Sequence, residues 1–281
     1  MHPNRIDMKT RYTLLTTAVV LAAKLLHADL IFEDDFESYT AGQVIDTTKW
    51  SLVLSGADNV NTVHVEQDTG NLFGKGTGNQ YVDLLDNSTN PGGQSIYLTK
   101  TGLSTELASG IVTLNMNIIE PEGTPPLSGN DGRILVGIGD GTMAGTDRAN
   151  LPNWNETSAG VSTYGTVPVT RDTLYNVNIV FNNSGSSIQY NSPSGLQTLD
   201  ATSADIWIDG VLQAENILQD RSWDGGIAVD SVGFRSFSGS AQRLLVDDYR
   251  VYDEALVIPE PSTLMLVGVA LTSLFVFRRK R

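Results

Sequence analysis

Along most of the chain, apolar and polar residues alternate with a period of two, the repeat of a strand with one buried face. In YNVNIVFN, Tyr175, Val177, Ile179 and Phe181 share one face, with Asn176, Asn178 and Asn182 on the other. In IVTLNMNII, Val112, Leu114, Met116 and Ile118 alternate with Thr113, Asn115 and Asn117, and RILVGIG groups Ile134, Val136 and Ile138. YVDLLD, SIYLT, DIWIDG, IAVDSVGF and RLLVDDYRVY read as further strands. Turn formers separate them in GKGTGN, NSTNPGG, NNSGSS, NSPSG and DGG. Only the region around LQAENILQD admits a helical turn. Short strands with one apolar face each predict an all-β fold, two antiparallel sheets packed as a sandwich. No repeat of fixed period is present, which argues against a propeller or solenoid. The stretch EPEGTPPLSGNDG (120–132) is the strongest candidate linker, and its length suits a loop within one domain.

Both ends depart from this pattern. Lys9 and Arg11 precede the apolar run Tyr12 to Ala28, and acid-rich DLIFEDDFE follows. A cationic start, a short apolar run and a small residue before a change of composition describe a secretory signal peptide over residues 1–28. Leu26 and Ala28 take the two cleavage-site positions, and either Met1 or Met8 serves as a start. At the other end, Thr263 to Phe277 is an apolar run of 15 residues closed by Arg278 to Arg281. As a helix it covers roughly 22 Å at 1.5 Å per residue. A hydrocarbon core is about 30 Å thick, and Pro259 and Pro261 block extension backwards. The cationic tail stays on the cytoplasmic side. Such a segment suits a temporary anchor.

Pro259-Glu260-Pro261, the short apolar helix and the arginine cluster, in that order, resemble the PEP-CTERM sorting signal of Gram-negative bacteria. The resemblance covers residues 257–281 and marks Pro259, Glu260 and Pro261 as the sorting motif. It implies secretion machinery, an inner-membrane intermediate, and an exosortase-type enzyme that cuts near the motif and sends the product to the cell surface or matrix. Between the ends, residues 29–256, FEDDFESYTAG, ADIWIDGVLQAEN and LLVDDYRVYDEAL resemble concanavalin A-like/LamG-like jelly rolls. That second resemblance implies a two-sheet antiparallel jelly-roll sandwich and assigns no activity.

Composition narrows the partners. The chain of 281 residues has a formal net charge of −14, but Asp29 to Pro261 holds 31 acidic and 10 basic residues, a net −21. Such a body repels phosphate backbones and has no basic stripe, so nucleic acid is not a partner. The absence of cysteine excludes a disulfide framework, thiolate metal sites and thiol nucleophiles.

Candidate chemistry is sparse. Glycoside hydrolysis needs two carboxylates about 5–9.5 Å apart. VEQDTG places Glu66 and Asp68 on one face and then breaks at Gly70, an incomplete version of the alternating acids some jelly-roll glycosidases carry. His64 is the only histidine beyond the leader and reads as a strand side chain. No catalytic set emerges, and the expectation is a non-enzymatic protein. Calcium takes six to eight oxygen ligands. The jelly-roll resemblance brings the end strands together, so Asp34, Asp35, Asp247 and Asp248 are candidates for one structural Ca²⁺, with Glu37 auxiliary. For sugars, Trp207 in ADIWIDG falls on the face opposite Ile206 and Ile208, and Trp154 and Trp223 lie in polar stretches. All three are candidate stacking platforms. The sequence thus points to an exported, surface-sorted jelly roll that associates with extracellular polysaccharide or a biofilm matrix. A structural or adhesive surface protein without a small ligand and a glycan-cleaving enzyme are the alternatives.

Overall fold

A computed structural model describes residues 28–255 except 46–47, 56–60, 88–94, 104–109, 123–131, 140, 142–147, 157–161, 165–166, 219–228 and 238–241. The leader and the sorting tail therefore lie outside the described residues, and so does Trp223. Among the described residues no helix is long and apolar enough to cross a membrane.

The strands are β1 (Leu30–Asp34), β2 (Ser51–Ser55), β3 (Thr62–Gln67), β4 (Gln80–Asp86), β5 (Ser95–Lys100), β6 (Ile111–Ile119), β7 (Gly132–Gly139) and β8 (Arg148–Glu156). They continue as β9 (Ser162–Tyr164), β10 (Val167–Val169), β11 (Tyr175–Asn182), β12 (Ile188–Ser192), β13 (Gly195–Leu199), β14 (Ser203–Ile208), β15 (Val211–Leu218), β16 (Ser231–Phe237) and β17 (Gln242–Tyr252). An eight-stranded sheet runs β15-β14-β11-β6-β17-β4-β3, with β1 also on β17. A seven-stranded sheet runs β10-β9-β8-β7-β16-β5-β2, and β12-β13 form a separate hairpin. The two antiparallel sheets make the sandwich that the alternation predicts, in the jelly-roll form that the resemblance implies.

The apolar faces meet in one core. Met116, Ile118, Val177, Ile179, Ile206 and Val246 of the larger sheet pack with Ile134, Ile138, Val232, Phe234 and Leu98 of the smaller. Alternate residues on the same strands must then point away from the core. An aromatic group closes one side: Trp50 lies edge-on to both Phe32 and Tyr249, at 5.4 Å between centroids in each case. The segment 120–132 joins β6 of one sheet to β7 of the other, and most of it lies outside the described residues.

Two expectations are corrected. Residues 211–218, expected to admit a helical turn, form strand β15, because they zip onto β14 through a two-residue turn. Asp209 and Gly210 both have positive φ, 52° and 77°, the geometry that such a hairpin turn requires. Trp154, expected in a loop, sits within β8 opposite Ile134 and Tyr164.

One irregularity shapes the outer face of the larger sheet. On β6, Asn117 and Asn115 are two residues apart, but their β17 partners Asp247 and Arg250 are three apart. The extra residue is a β-bulge, with Asp248 at φ 52°. It puts Asp247 and Asp248 side by side on the outer face, while Val246 and Tyr249 both point into the core.

Candidate functional site

The outer face of the eight-stranded sheet is covered at its two ends and polar between them. At one end Phe73, carried by the connection between β3 and β4, packs on Tyr81, Ile119 and Leu245. At the other, the β12-β13 hairpin lays Tyr190 and Leu199 over Val180 and Trp207, with Ile111, Ile188, Leu212 and Ala255 around them. Both covers rest on outward-facing apolar residues, so each stands proud of the sheet. The floor between them is a trough running across the strands.

Two rows of side chains make this floor. The register aligns Trp207, Asn178, Asn115, Arg250 and Glu33 in one row. The second row holds Asn176, Asn117 and Asp247, with Asp248 beside it on the bulge. Hydrogen bonds link the rows. The Asn115 amide donates to Asn178 Oδ1 (2.7 Å) and Asn176 Oδ1 (3.2 Å), and Asn178 donates to Asn176 Oδ1 (2.9 Å). Asn176 donates to Asn117 Oδ1 (2.9 Å), and Asn117 to Asp248 Oδ2 (2.9 Å). Asn115 and Asn178 are buried, whereas Asn117, Asn176 and Arg250 keep solvent contact. A side-chain amide offers two N–H groups and two lone pairs, so Asn117 retains one donor and one acceptor site toward the trough, and Asn176, whose oxygen already accepts from Asn115 and Asn178, retains one donor.

The charged end of the floor is internally matched. Lys75 bridges Asp247 Oδ2 (3.0 Å) and Asp248 Oδ2, and Arg250 reaches Asp248 Oδ1 (3.1 Å) and Glu33 Oε2 (3.8 Å). Asn79 donates to Asp247 Oδ2 at 3.0 Å. Burial pushes the Asp247 carboxyl up from its ordinary range, with the Asn79 and Lys75 hydrogen bonds pulling the other way. Burial alone lowers the Lys75 amine, but its hydrogen bonds and charge contacts with Asp248 and Asp247 outweigh that and raise it. Lys75 therefore stays a cation committed to two carboxylates.

The four proposed calcium ligands do not come together. Asp34 pairs in register with the core-facing Tyr249, so its carboxylate points inward, where Trp50 Nε1 (2.9 Å), the Tyr39 hydroxyl and the Phe36 N–H (3.1 Å) donate to it. Lys49 lies 3.6 Å away. Asp247 and Asp248 lie on the opposite face of the same sheet, committed to Lys75. Asp35 accepts from the Glu37 N–H, two residues away, and Glu37 accepts from the Gln80 N–H at the start of β4. Among the described residues no group of three or more acidic or histidine side chains is gathered for a metal ion. The acids predicted for one shared Ca²⁺ do not fit it, because β-strand alternation and the bulge send them to different faces.

Of the three tryptophan candidates, the structure describes the surroundings of Trp207. Trp207 does face outward as predicted, but it is 2% exposed because the hairpin covers it. Its indole N–H donates to the Tyr190 hydroxyl (3.0 Å), which donates to Asp205 Oδ2 (2.7 Å). That relay locks the ring into the cover, where it cannot stack on a sugar. Trp223 lies outside the described residues, and Trp154 is held in register within β8. Glu66 and Asp68 form no acid pair: Asp68 is buried and accepts from the Leu72 (2.7 Å) and Phe73 (2.9 Å) N–H groups, shaping the Phe73 cover. His64 is a strand residue opposite Asp83. The asparagine floor is not legible in the sequence alone. Its signal is there, since Asn-x-Asn recurs on the polar face of both β6 and β11, but strand pairing is needed to bring the two pairs together.

Comparison with known proteins gives two results. Residues 257–281 match the PEP-CTERM protein-sorting motif. The chain thus carries the signal of an exported protein handled by an exosortase-type sorting enzyme, with Pro259, Glu260 and Pro261 as its Pro-Glu-Pro element. No curated protein matches the chain. Among solved structures, a cellulose-induced protein, Cip1, aligns over 81% of this chain and 100% of its own at 15% identity and TM-score 0.43. A family 11 carbohydrate-binding module of a Clostridium thermocellum cellulase aligns over 82% and 96% at 14% identity and TM-score 0.36. An endo-β-1,4-glucuronan lyase from Trichoderma reesei aligns over 80% and 95% at 12% identity and TM-score 0.39.

Proposed function

We propose that this protein is a non-enzymatic surface or matrix component of a Gram-negative bacterium that engages extracellular polysaccharide across the polar trough. The observation that carries the reading is the hydrogen-bonded asparagine floor between two apolar covers, in which buried Asn115 and Asn178 support Asn117 and Asn176, the two that keep solvent contact. Amides held by one another are pre-oriented, so hydroxyl groups bind without first ordering flexible side chains. A trough open at its sides suits a polymer better than a small molecule. The non-enzymatic part is supported by the commitments of Asp247 and Asp248, the carboxylates of the floor. Each is already paired with Lys75, and neither stands across from a second acid poised to protonate a leaving group.

The test is binding of the full-length chain, in detergent, to an array of polysaccharides, alongside the double variant Asn117→Ala/Asn176→Ala. Each lost hydrogen bond is worth about 0.5–1.5 kcal/mol net, so the pair is expected to weaken binding by about tenfold or more. Both side chains are part-buried and hold Asn115, Asn178 and Asp248, so a lower Tm is expected, about 1–3 kcal/mol for each buried group left unpaired, and binding is compared well below the transition of either protein. An array with no response, or an unaltered response in the double variant, defeats the proposal. The adhesive alternative has its own observation: edge strand β2 exposes Val53 and Leu54, at 41% and 40%. Concentration-dependent self-association with a silent array favours that reading instead.

A further inference from the structure

We infer that the trough selects an uncharged, hydroxyl-rich polysaccharide and rejects uronate-containing or sulfated polymers; this rests on the trough being the binding site. The inference comes from accounting for every cation of the folded body. Of its ten basic residues, Lys100, Arg133, Arg148 and Arg235 stand on strands of the seven-stranded sheet, and Arg221 lies outside the described residues. Five remain for the eight-stranded sheet and its connections: Lys49, Lys75, Arg171, Arg243 and Arg250.

Each of the five is already engaged by a carboxylate. Lys49 faces Asp34 (3.6 Å) on the inner side, and Arg171 faces Glu120 (3.9 Å). Arg243 holds Asp83 through two oxygens, its Nε at 2.8 and 3.0 Å. Lys75 and Arg250, the cations at the trough itself, are shared among Asp247, Asp248 and Glu33. A polyanion must therefore take a cation away from an acid that already holds it. Asp247 is fully buried, and stripping Lys75 from it leaves an uncompensated charge inside the protein, a costly state. The net −21 of the body adds long-range repulsion.

Neutral hydroxyls meet no such obstacle. Asn117 presents a donor and an acceptor, and Asn176 a donor, to the same solvent-facing strip, and sugar hydroxyls are both donors and acceptors. With Trp207 locked beneath the hairpin by Tyr190, recognition on the described floor is by hydrogen bonds along the strip and not by ring stacking.

The test uses polymers matched in backbone and differing in charge: hydroxyethyl cellulose against carboxymethyl cellulose, and dextran against dextran sulfate. The full-length chain in detergent is run by affinity electrophoresis in gels containing each. Retardation by at least one neutral polymer, with its anionic counterpart weaker by about tenfold, is expected, changing less than about twofold between about 50 and 500 mM NaCl. Asp248→Asn leaves Arg250 with only Glu33, at 3.8 Å, and Lys75 with only Asp247, so each cation loses one of its two acids; asparagine tolerates the left-handed backbone at this position. That variant is expected to gain salt-sensitive retardation by the anionic polymers. Stronger binding of the natural protein to the charged members, lost in salt, overturns the inference while leaving the trough reading intact. Absence of retardation by all four polymers overturns the inference, and with a silent array it removes the trough reading as well. Should Asp248→Asn fail to fold, seen as a lost unfolding transition, the matched-pair result of the natural chain decides alone.

Discussion

Asp205 is the buried end of the relay that fastens the β12-β13 hairpin to the sheet. Its Oδ2 accepts from Tyr190 and its Oδ1 from the Asn216 N–H at 2.7 Å. Burial raises the Asp205 carboxyl above its ordinary value of 3.8, against the opposing pull of the Asn216 and Tyr190 hydrogen bonds. The Tyr190 hydroxyl is likewise pushed up by burial and stays a donor throughout the neutral range. A folded state that holds this proton more tightly than the unfolded chain is favoured at low pH. The contribution is full below the unfolded value and is lost as pH rises through the folded one. Asp205→Asn cannot titrate, and its single oxygen cannot replace both acceptors, so it destabilises at every pH. The expected result is a Tm deficit of Asp205→Asn that is largest near pH 3.8 and narrows toward neutral pH, read by thermal melts at matched pH. A deficit that widens with pH contradicts the raised carboxyl. Trp207 belongs to the same relay, which is why its outward register, correctly legible from Ile206 and Ile208, did not amount to exposure. Register is local, whereas the cover is built from residues 188–199, which no pattern within ADIWIDG reveals.

Elements differ in how plainly they were written. Strands β6 and β11 follow their sequence alternation residue for residue, because both are central and each has one face in the core. Strand β15 did not read as a strand: its Gln-Ala-Glu stretch carries helix formers, and only the Asp209-Gly210 turn commits it to pairing. The β17 bulge was equally silent, since Asp-Asp in VDDYRV looks like a turn or a metal ligand until β6 fixes the count of partners. Within the smaller sheet, β16 shows what pairing demands of a single position. Gly233 lies between Thr99 and Gly137, and a Cβ built there falls 2.0 Å from the Leu98 carbonyl oxygen. That oxygen is backbone in a central ladder and cannot move aside without breaking β5 from β16. Gly233→Ala is expected to cost several kcal/mol, about 3 or more, as overpacking plus lost pairing. Urea unfolding measures it, and a loss under about 1 kcal/mol would mean the two strands separate more readily than their register implies.

At the scale of the whole molecule, the last strand is the keystone of the larger sheet. β17 pairs with β6 along one edge and with β4 and then β1 along the other. Without it the sheet separates into β15-β14-β11-β6 on one side and β4-β3 on the other, with β1 unpaired. The two ends of the body also meet beside β17: the Asp29 N–H donates to Asp253 Oδ1 at 2.9 Å across 224 residues of sequence, and the Asp253 N–H returns a bond to the Asp29 carbonyl. During export the chain emerges from its N-terminus, so the core cannot close until Tyr252 is across the membrane. By then the sorting tail is next to arrive. Pro259 lies four residues past Ala255, a reach of at most about 14 Å. The last strand and the sorting motif are thus neighbours in sequence with separate requirements, the strand to close the sheet and the motif to be recognised. Truncation separates the two requirements. A chain ending at Ala255 keeps every strand and is expected to give a β-type circular dichroism spectrum, a single cooperative melt and resistance to protease. One ending at Ala241 lacks only β17 and is expected to be protease-sensitive with no cooperative transition. If the shorter chain melts cooperatively, the sheet closes by a pairing other than the one through β17.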